Sequence, residues 1–300
     1  GRIEVEVTNA VGTSDGAILN AFTADIDFDV SDTAVNLAAQ VNGTNGVAGS
    51  LDDATTVTVE SGAAIGVADA DAIQAISGYD FTGSDYDITD NAAALISAGD
   101  DVLNVAGVDI VTASDTSVNA NIGGDLAGFT ADIEFNVLDN ADAIAIEVAD
   151  SGYGAGSLDE ANNVAVVSGD VTASEADAIQ DIAKYSGADS DYDITDTAAA
   201  LISATDSVLN VDGVDTVTVS DGPVLADTGE KLAELSKDVQ FDVLDNADNV
   251  AAEVTGSNGA GDLDEANAVV VSGGDVTASE ADAIQAISGY VGTASDYDIT

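Results

Sequence analysis

The chain has 300 residues, 57 of them acidic and four basic, so its net charge at neutral pH is −53. It contains no histidine, cysteine, methionine or tryptophan and one proline, Pro223. These counts exclude a disulfide framework, an imidazole or thiolate metal site, a nucleophilic cysteine and a serine–histidine pair. They also leave almost no basic residues with which to bind nucleic acid phosphates or anionic lipid. Hydrophobic residues make up 46% of the chain and are interspersed with the charged 20%, which is the composition of a folded chain and not of a disordered one. No run of 18 apolar residues occurs, so membrane insertion is not expected.

Taken from the N-terminus, the first clear alternation is Asp25-Ile-Asp-Phe-Asp-Val. A period of two predicts a strand with Asp25, Asp27 and Asp29 on one face and Ile26, Phe28 and Val30 on the other. An Ala-rich segment follows at Ser31-Asp-Thr-Ala-Val-Asn-Leu-Ala-Ala. Then come three markers: Leu-Asp-Asp-Ala from Leu51, Ala-Asp-Ala-Ile-Gln from Ala70, and Ser-Asp-Tyr-Asp-Ile-Thr at 84–89. The last predicts another acidic strand, with Asp85 and Asp87 on one face and Asp90 at its end.

All three markers return. Leu158 and Leu263 begin the first, Ala176 and Ala281 the second, and 190–195 and 295–300 carry the third, with Asp191, Asp193 and Asp196 in the places of Asp85, Asp87 and Asp90. Tyr86, Tyr192 and Tyr297 stand 106 and 105 residues apart. Within the second copy, Ser174 and Asp177 have capping-box spacing ahead of Ile179 and Ile182. Residues 196–210 place Leu201, Val208 and Leu209 at i, i+7 and i+8 of a helix with Asp196 as its N-cap. Gly187 and Gly213 stand where these helices are expected to stop. Strand-like runs then begin at Asp215, Val239 and Ala268.

The recurring unit is therefore one strand and one helix in roughly 26 residues, a quarter of the long period. Such a unit cannot bury its own apolar face and must stack on its neighbours. The expected fold class is α/β: a right-handed βα solenoid with a parallel sheet on one side and short helices on the other. Residues 1–300 form one continuous array in this reading, with super-repeats 1–106, 107–212 and a truncated 213–300. Eleven coils at ~4.8 Å each make a rod on the order of 50 Å long. Neither end reads as a polar capping unit, so the expectation is a piece of a longer chain or copies that join end to end.

The phrases Asp196-Thr-Ala-Ala-Ala-Leu-Ile-Ser and Ser31-Asp-Thr-Ala-Val-Asn-Leu-Ala-Ala resemble the DTAANLAA-type repeats of giant bacterial cell-surface, S-layer-like and haemolysin-like proteins. The resemblance spans most of the chain through short, Ala-rich motifs. It implies an extracellular location, a role in a surface layer, filament or adhesin, and dependence on calcium. The Gly-Gly-x-Gly-x-Asp calcium nonapeptide of the related RTX proteins is absent, Gly123-Gly-Asp being its nearest approach.

The acidic strands are where chemistry is expected. Stacked coils bring carboxylates within ~5 Å of one another, at about 1 kcal/mol or less per exposed pair in water-like surroundings. Summed over tens of pairs, that rivals a total stability of roughly 5–15 kcal/mol. Hard oxygen ligands select Ca²⁺. The expectation is that calcium bridges coils through Asp85, Asp87, Asp90, Asp191, Asp193 and Asp196, with Asp25, Asp27 and Asp29 as further ligands. Adaptation to high salt is the rival source of the charge. Asp25-x-Asp-x-Asp is not an EF-hand loop, because Val30 stands at the turn glycine and Asn36 at the final glutamate. A near-regular array offers no singular place for catalysis. The expected function is structural, with glycan recognition by an adhesin or phage-type fibre as the alternative, and self-association or cell-envelope glycans as partners.

Overall fold

The computed structural model describes residues 5–22, 26–43, 51–149, 157–256 and 262–300. The chain is a mixed α/β protein in two compact units, Gly1–Val137 with Gly156–Asn163, and Leu138–Ala155 with Val164–Thr300. The elements run β1 (Val5–Glu6), α1 (Thr13–Asn20), β2 (Ile26–Asp27), β3 (Asp29–Thr33), α2 (Ala34–Val41), β4 (Thr56–Glu60), α3 (Val67–Gln74), β5 (Tyr86–Asp90), α4 (Ala92–Ala98), α5 (Asp100–Leu103), β6 (Val108–Ala113), α6 (Ala120–Ala127) and β7 (Ile133–Glu134). They continue with β8 (Asn136–Asp139), α7 (Ala141–Ala149), β9 (Asn163–Val166), β10 (Asp170–Val171), α8 (Ala173–Gln180), β11 (Tyr192–Asp196), α9 (Ala198–Ala204), α10 (Asp206–Leu209) and β12 (Val214–Val219). The last elements are α11 (Ala226–Ala233), β13 (Val239–Gln240), β14 (Asp242–Asp245), α12 (Ala247–Thr255), β15 (Ala268–Val276), α13 (Ala278–Ala286) and β16 (Asp296–Ile299). No helix among the described residues is long and apolar enough to cross a membrane.

In the first unit β1 pairs with β2, β3 with β4, and β6 with both β5 and β7, all in parallel. In the second, β10 through β13 form one parallel ladder and β14 through β16 another. The partners are sequential: Val5 faces Ile26, Asp29 faces Thr56, and Asp170 faces Asp193, which are 21, 27 and 23 residues apart. Connections this short hold one helix, or two short ones as α4 with α5 and α9 with α10.

Alternation sets the core. Val57 and Val59 on β4, Tyr86 and Ile88 on β5, and Tyr192 and Ile194 on β11 are buried, as are Ile73, Leu95, Ile179 and Leu201 from the helices. Each fully buried aliphatic side chain contributes about 1.5–3 kcal/mol. Ile26 is half-buried and Phe28 and Val30 are buried, while Asp27 and Asp29 are exposed, as the period of two requires.

The sequence markers are joints between neighbouring segments. The Ser84 hydroxyl accepts from Val59 N at 3.0 Å and donates to Asp80 O at 2.8 Å. Ser190 does the same for Val166 N and Ser186 O, and Ser295 for Val271 N and Val291 O. Gln74 Nε2 donates to Tyr86 Oη at 2.7 Å and to Val102 O at 3.0 Å, and Gln180 repeats this with Tyr192 and Val208. Three helical glycines, Gly16, Gly123 and Gly229, let a helix lie directly on a strand: a Cβ on Gly123 would stand 2.7 Å from Val137 Cγ2, and one on Gly16 equally close to Val30 Cγ2.

Several local expectations shift. The capping box of α8 is Thr172 with Glu175, not Ser174 with Asp177. The Glu175 carboxylate reaches back to Thr172 N at 2.8 Å, a span that an aspartate, one methylene shorter, does not cover. The N-cap of α9 is Thr197 and not Asp196. The segment 196–210 is two helices, broken at Thr205, although Leu201, Val208 and Leu209 are all buried. The helices also end short of the expected glycines, α8 at Gln180 and α10 at Leu209. Gly213 instead opens β12 at φ +98°, where a Cβ would meet Tyr185 Oη at 2.6 Å and Ser190 Cβ at 2.8 Å.

Gly213→Ala therefore combines a left-handed backbone with two overlaps, and a loss of about 2–4 kcal/mol is expected. Urea unfolding followed by far-UV circular dichroism measures it; a loss below about 0.5 kcal/mol would show that the strand entry is not tightly held.

Candidate functional site

The residues expected to carry chemistry are the strand-end aspartates, and the structure gives them a common task. A helix leaves its first amides without intrahelical partners. Here the first amide of a helix is taken by an aspartate at or just beyond the end of a following strand. Asp90 Oδ2 accepts from Val67 N at 3.1 Å, at the start of α3, and Asp196 Oδ2 accepts from Ala173 N at 3.1 Å, at the start of α8. Asp32 serves Thr13 N of α1, Asp115 serves Ala92 N of α4, Asp221 serves Ala198 N of α9, and Asp245 serves Ala226 N of α11. The chain separation is 19 or 23 residues in every case.

The second oxygen is engaged too. Asp32, Asp90, Asp196 and Asp245 each accept through Oδ1 from the next backbone N–H at 2.7–2.9 Å. That next residue, Thr33, Asn91, Thr197 or Asn246, is the N-cap of the helix that follows. One Asp-(Thr/Asn)-Ala triplet thus ties the helix before the strand to the helix after it. A carboxylate at a helix start is also favoured by the macrodipole, by about 0.3–1 kcal/mol when exposed.

A parallel device links the second short helix of each pair to a later turn. Asp100 accepts from Thr130 N and Ala131 N at 3.0–3.2 Å, and Asp206 accepts from Ser236 N at 2.8 Å and Ser236 Oγ at 2.7 Å. The Ser236 hydroxyl and amide, with the Lys237 amide, hold the Asp206 carboxyl below its ordinary value. For Asp32 and Asp100 burial pushes upward, but the hydrogen bonds outweigh it and both groups lie below the ordinary value. Glu253 moves the other way, raised by its hydrogen bond with Glu230, by burial and by the negative charge of Glu230 and Asp227.

The remaining expected ligands disperse. Asp87 Oδ1 accepts from Ile110 N at 3.2 Å, Asp193 Oδ1 from Thr216 N at 3.0 Å, and Asp29 Oδ1 from Thr56 Oγ1 at 2.6 Å, all on the following strand. Asp87 thus turns forward while Asp90, on the same strand, reaches back. Asp27, Asp85 and Asp191 are exposed, and Asp25 lies outside the described residues. Among the described residues no group of three or more acidic side chains is placed to hold a metal ion.

Periodicity missed Asp32, Asp100, Asp115, Asp206, Asp221 and Asp245. The signal for two of these was the Asp-(Thr/Asn)-Ala triplet at 32–34, 90–92, 139–141, 196–198 and 245–247. Comparison with known proteins yields no match: no family model, no curated protein and no solved structure is similar to this chain.

Two outcomes follow for stability. Asp196→Asn leaves one N–H of the pair facing the Nδ2 donor, with no acceptor, and is expected to cost about 1–2 kcal/mol, whereas Asp191→Asn, at an exposed position, relieves repulsion and leaves Tm unchanged or higher. Thermal melts of both variants decide it, and equal effects would deny Asp196 its joining role. The Asp32 pKa is depressed when folded, so its contribution is fully present above the unfolded value near 3.8 and disappears as pH falls through the lower folded value. The Tm difference between the wild type and Asp32→Asn should accordingly be constant from pH 5 to 7 and narrow below about pH 4.

Proposed function

We propose that this chain is a structural repeat module of an extracellular assembly, a cell-surface layer, filament or giant adhesin, built as a right-handed βα solenoid of about 26 residues per coil in a 105-residue super-repeat. The observation that carries this reading is the repeated aspartate joint. Six carboxylates make the same bond to six helix starts, each joining two segments of the chain. Sequential parallel pairing at separations of 21 to 27 residues supports a coil of about the proposed length.

Divalent cations enter as screening partners for the carboxylates that no backbone group engages, among them exposed Asp27, Asp85 and Asp191. In this reading calcium stabilises by lying between neighbouring carboxylates and not in a cage of ligands.

Two measurements test it. Negative-stain electron microscopy and small-angle scattering of the purified chain should give rods or end-to-end filaments; compact dispersed particles at millimolar calcium would remove the assembly. Calorimetry should give a Tm at 5 mM CaCl₂ higher than at the same ionic strength in NaCl. An equal response to both salts assigns the acidity to salt adaptation and ends the calcium role.

A further inference from the structure

The second unit carries a groove of about 500 Å³ between α8 and the α9–α10 pair, bounded by Ser174, Asp177, Asp196, Ser203, Ser207 and Val208. Its volume is within the range of small-ligand sites, about 300–1,000 Å³. The internal repeat supplies a control for its composition, because residues 106 positions earlier occupy the same places in the first unit. Asp177, Asp196 and Ser203 keep the types of Asp71, Asp90 and Ser97. Ser174 replaces Ala68, Ser207 replaces Asp101, and Thr205 replaces Gly99. The groove's lining thus has two hydroxyls, Ser174 and Ser207, where the first unit has an alanine and a carboxylate, and a third hydroxyl, Thr205, stands beside it.

The third exchange runs against local preference. Gly99 and Thr205 share a left-handed backbone, φ 68° and 66° with ψ near 180°, and Thr205 is the one non-glycine residue with positive φ among the described residues. A β-branched residue there costs on the order of 1–3 kcal/mol. Its hydroxyl lies 3.0 Å from that of Ser207, which lines the groove. Packing does not ask for this side chain: a Cβ at the equivalent Gly99 has nothing within 4 Å.

We infer that this groove binds a neutral, hydroxyl-rich ligand, a saccharide unit. Anions are repelled by a chain of charge −53. A cation would be served better by Asp101 than by Ser207, so exchanging charge for hydroxyls favours hydrogen bonding to a polyol. Ser174, Ser203, Thr205 and Ser207 both donate and accept, and Asp177 accepts from sugar hydroxyls, while the Val208 side of the groove meets the C–H face. No aromatic ring bounds the groove, which places the affinity in the millimolar range. The inference stands whether or not the chain assembles into rods.

The test is a ¹⁵N–¹H NMR titration of the full chain with cellobiose, lactose and N,N′-diacetylchitobiose to 20 mM, with spermidine as a cationic control. At least one disaccharide should shift the amides of 173–177 and 200–208, and not those of 67–71 and 94–102, with little dependence on salt. The double variant Ser174→Ala with Ser207→Asp, which copies the first unit, should bind at least tenfold more weakly with its spectrum otherwise preserved. Thr205→Gly should raise Tm and weaken binding. Absence of shifts with all three sugars, equal shifts in both units, or shifts with spermidine alone would overturn the proposal.

Discussion

A carboxylate at the end of one strand holding the first amide of an earlier helix is the interaction on which this architecture depends. Each short helix starts with amides that have no partner in the helix, and a buried amide left unpaired costs about 1–3 kcal/mol. An isolated helix of eight residues has too few internal bonds to offset its nucleation. The Asp-(Thr/Asn)-Ala triplet solves both problems at one point. Asp196 satisfies Ala173 N with one oxygen and Thr197 N with the other, and Thr197 caps the next helix through Ala200 N. The helix before and the helix after are thereby referred to a single side chain, itself fixed by the β-ladder.

The same arrangement answers how a chain of charge −53 folds at all. Ion pairing is a small part of the answer: Lys231 lies 3.6 Å from Asp227, and both side chains are largely exposed. Backbone dipoles do more. Asp32, Asp90, Asp196 and Asp245 face helix starts, where the partial positive charge is about half a unit, and Asp87, Asp193 and Asp100 accept from amides of later segments. A hydrogen bond to a charged acceptor contributes about 1.5–3 kcal/mol, more than the repulsion of an exposed like-charge pair at ~5 Å. Glu253 is the opposite case, its pKa raised first by the hydrogen bond it shares with Glu230, then by burial and by the negative charge of Glu230 and Asp227.

Much of the fold was legible because it repeats. The spacing of Tyr86, Tyr192 and Tyr297 announced a recurring strand, the alternation at 26–30 oriented one of its strands, and the Ala-rich stretches located helices. The misplaced details are those fixed by partners distant in sequence. Asp196 looked like the cap of its own helix because the residues beside it are helical; its bond to Ala173, 23 residues back, has no signature in a local window. The helix over 196–210 looked continuous because its apolar residues keep one period. It breaks at Thr205, whose φ is 66°, and Asp206, bonded to Ser236 30 residues on, begins a new helix there. The acidic corners were legible as unusual but not as joints, since an aspartate expecting a metal and one expecting an amide read alike. For Asp32, Asp90, Asp196 and Asp245 the residues after separate them: Thr or Asn, then Ala, marks a helix start whose own cap is already supplied.

Glycine and aspartate divide the remaining work between approach and attachment. Gly16, Gly123 and Gly229 remove the Cβ where a helix presses on Val30, Val137 and Val243, and Gly107 and Gly213 take the left-handed backbone that admits a strand beside Ser84 and Ser190. Each of these positions returns at the long period because the geometry returns. A position free of such duties can drift in type without penalty, but it does not acquire strain by drifting. Thr205 keeps a backbone that suits the Gly99 of the first unit better, so its hydroxyl is retained against the conformational preference of the site. Where backbone joints set the geometry, a residue held against that preference is where a use other than packing has to be sought.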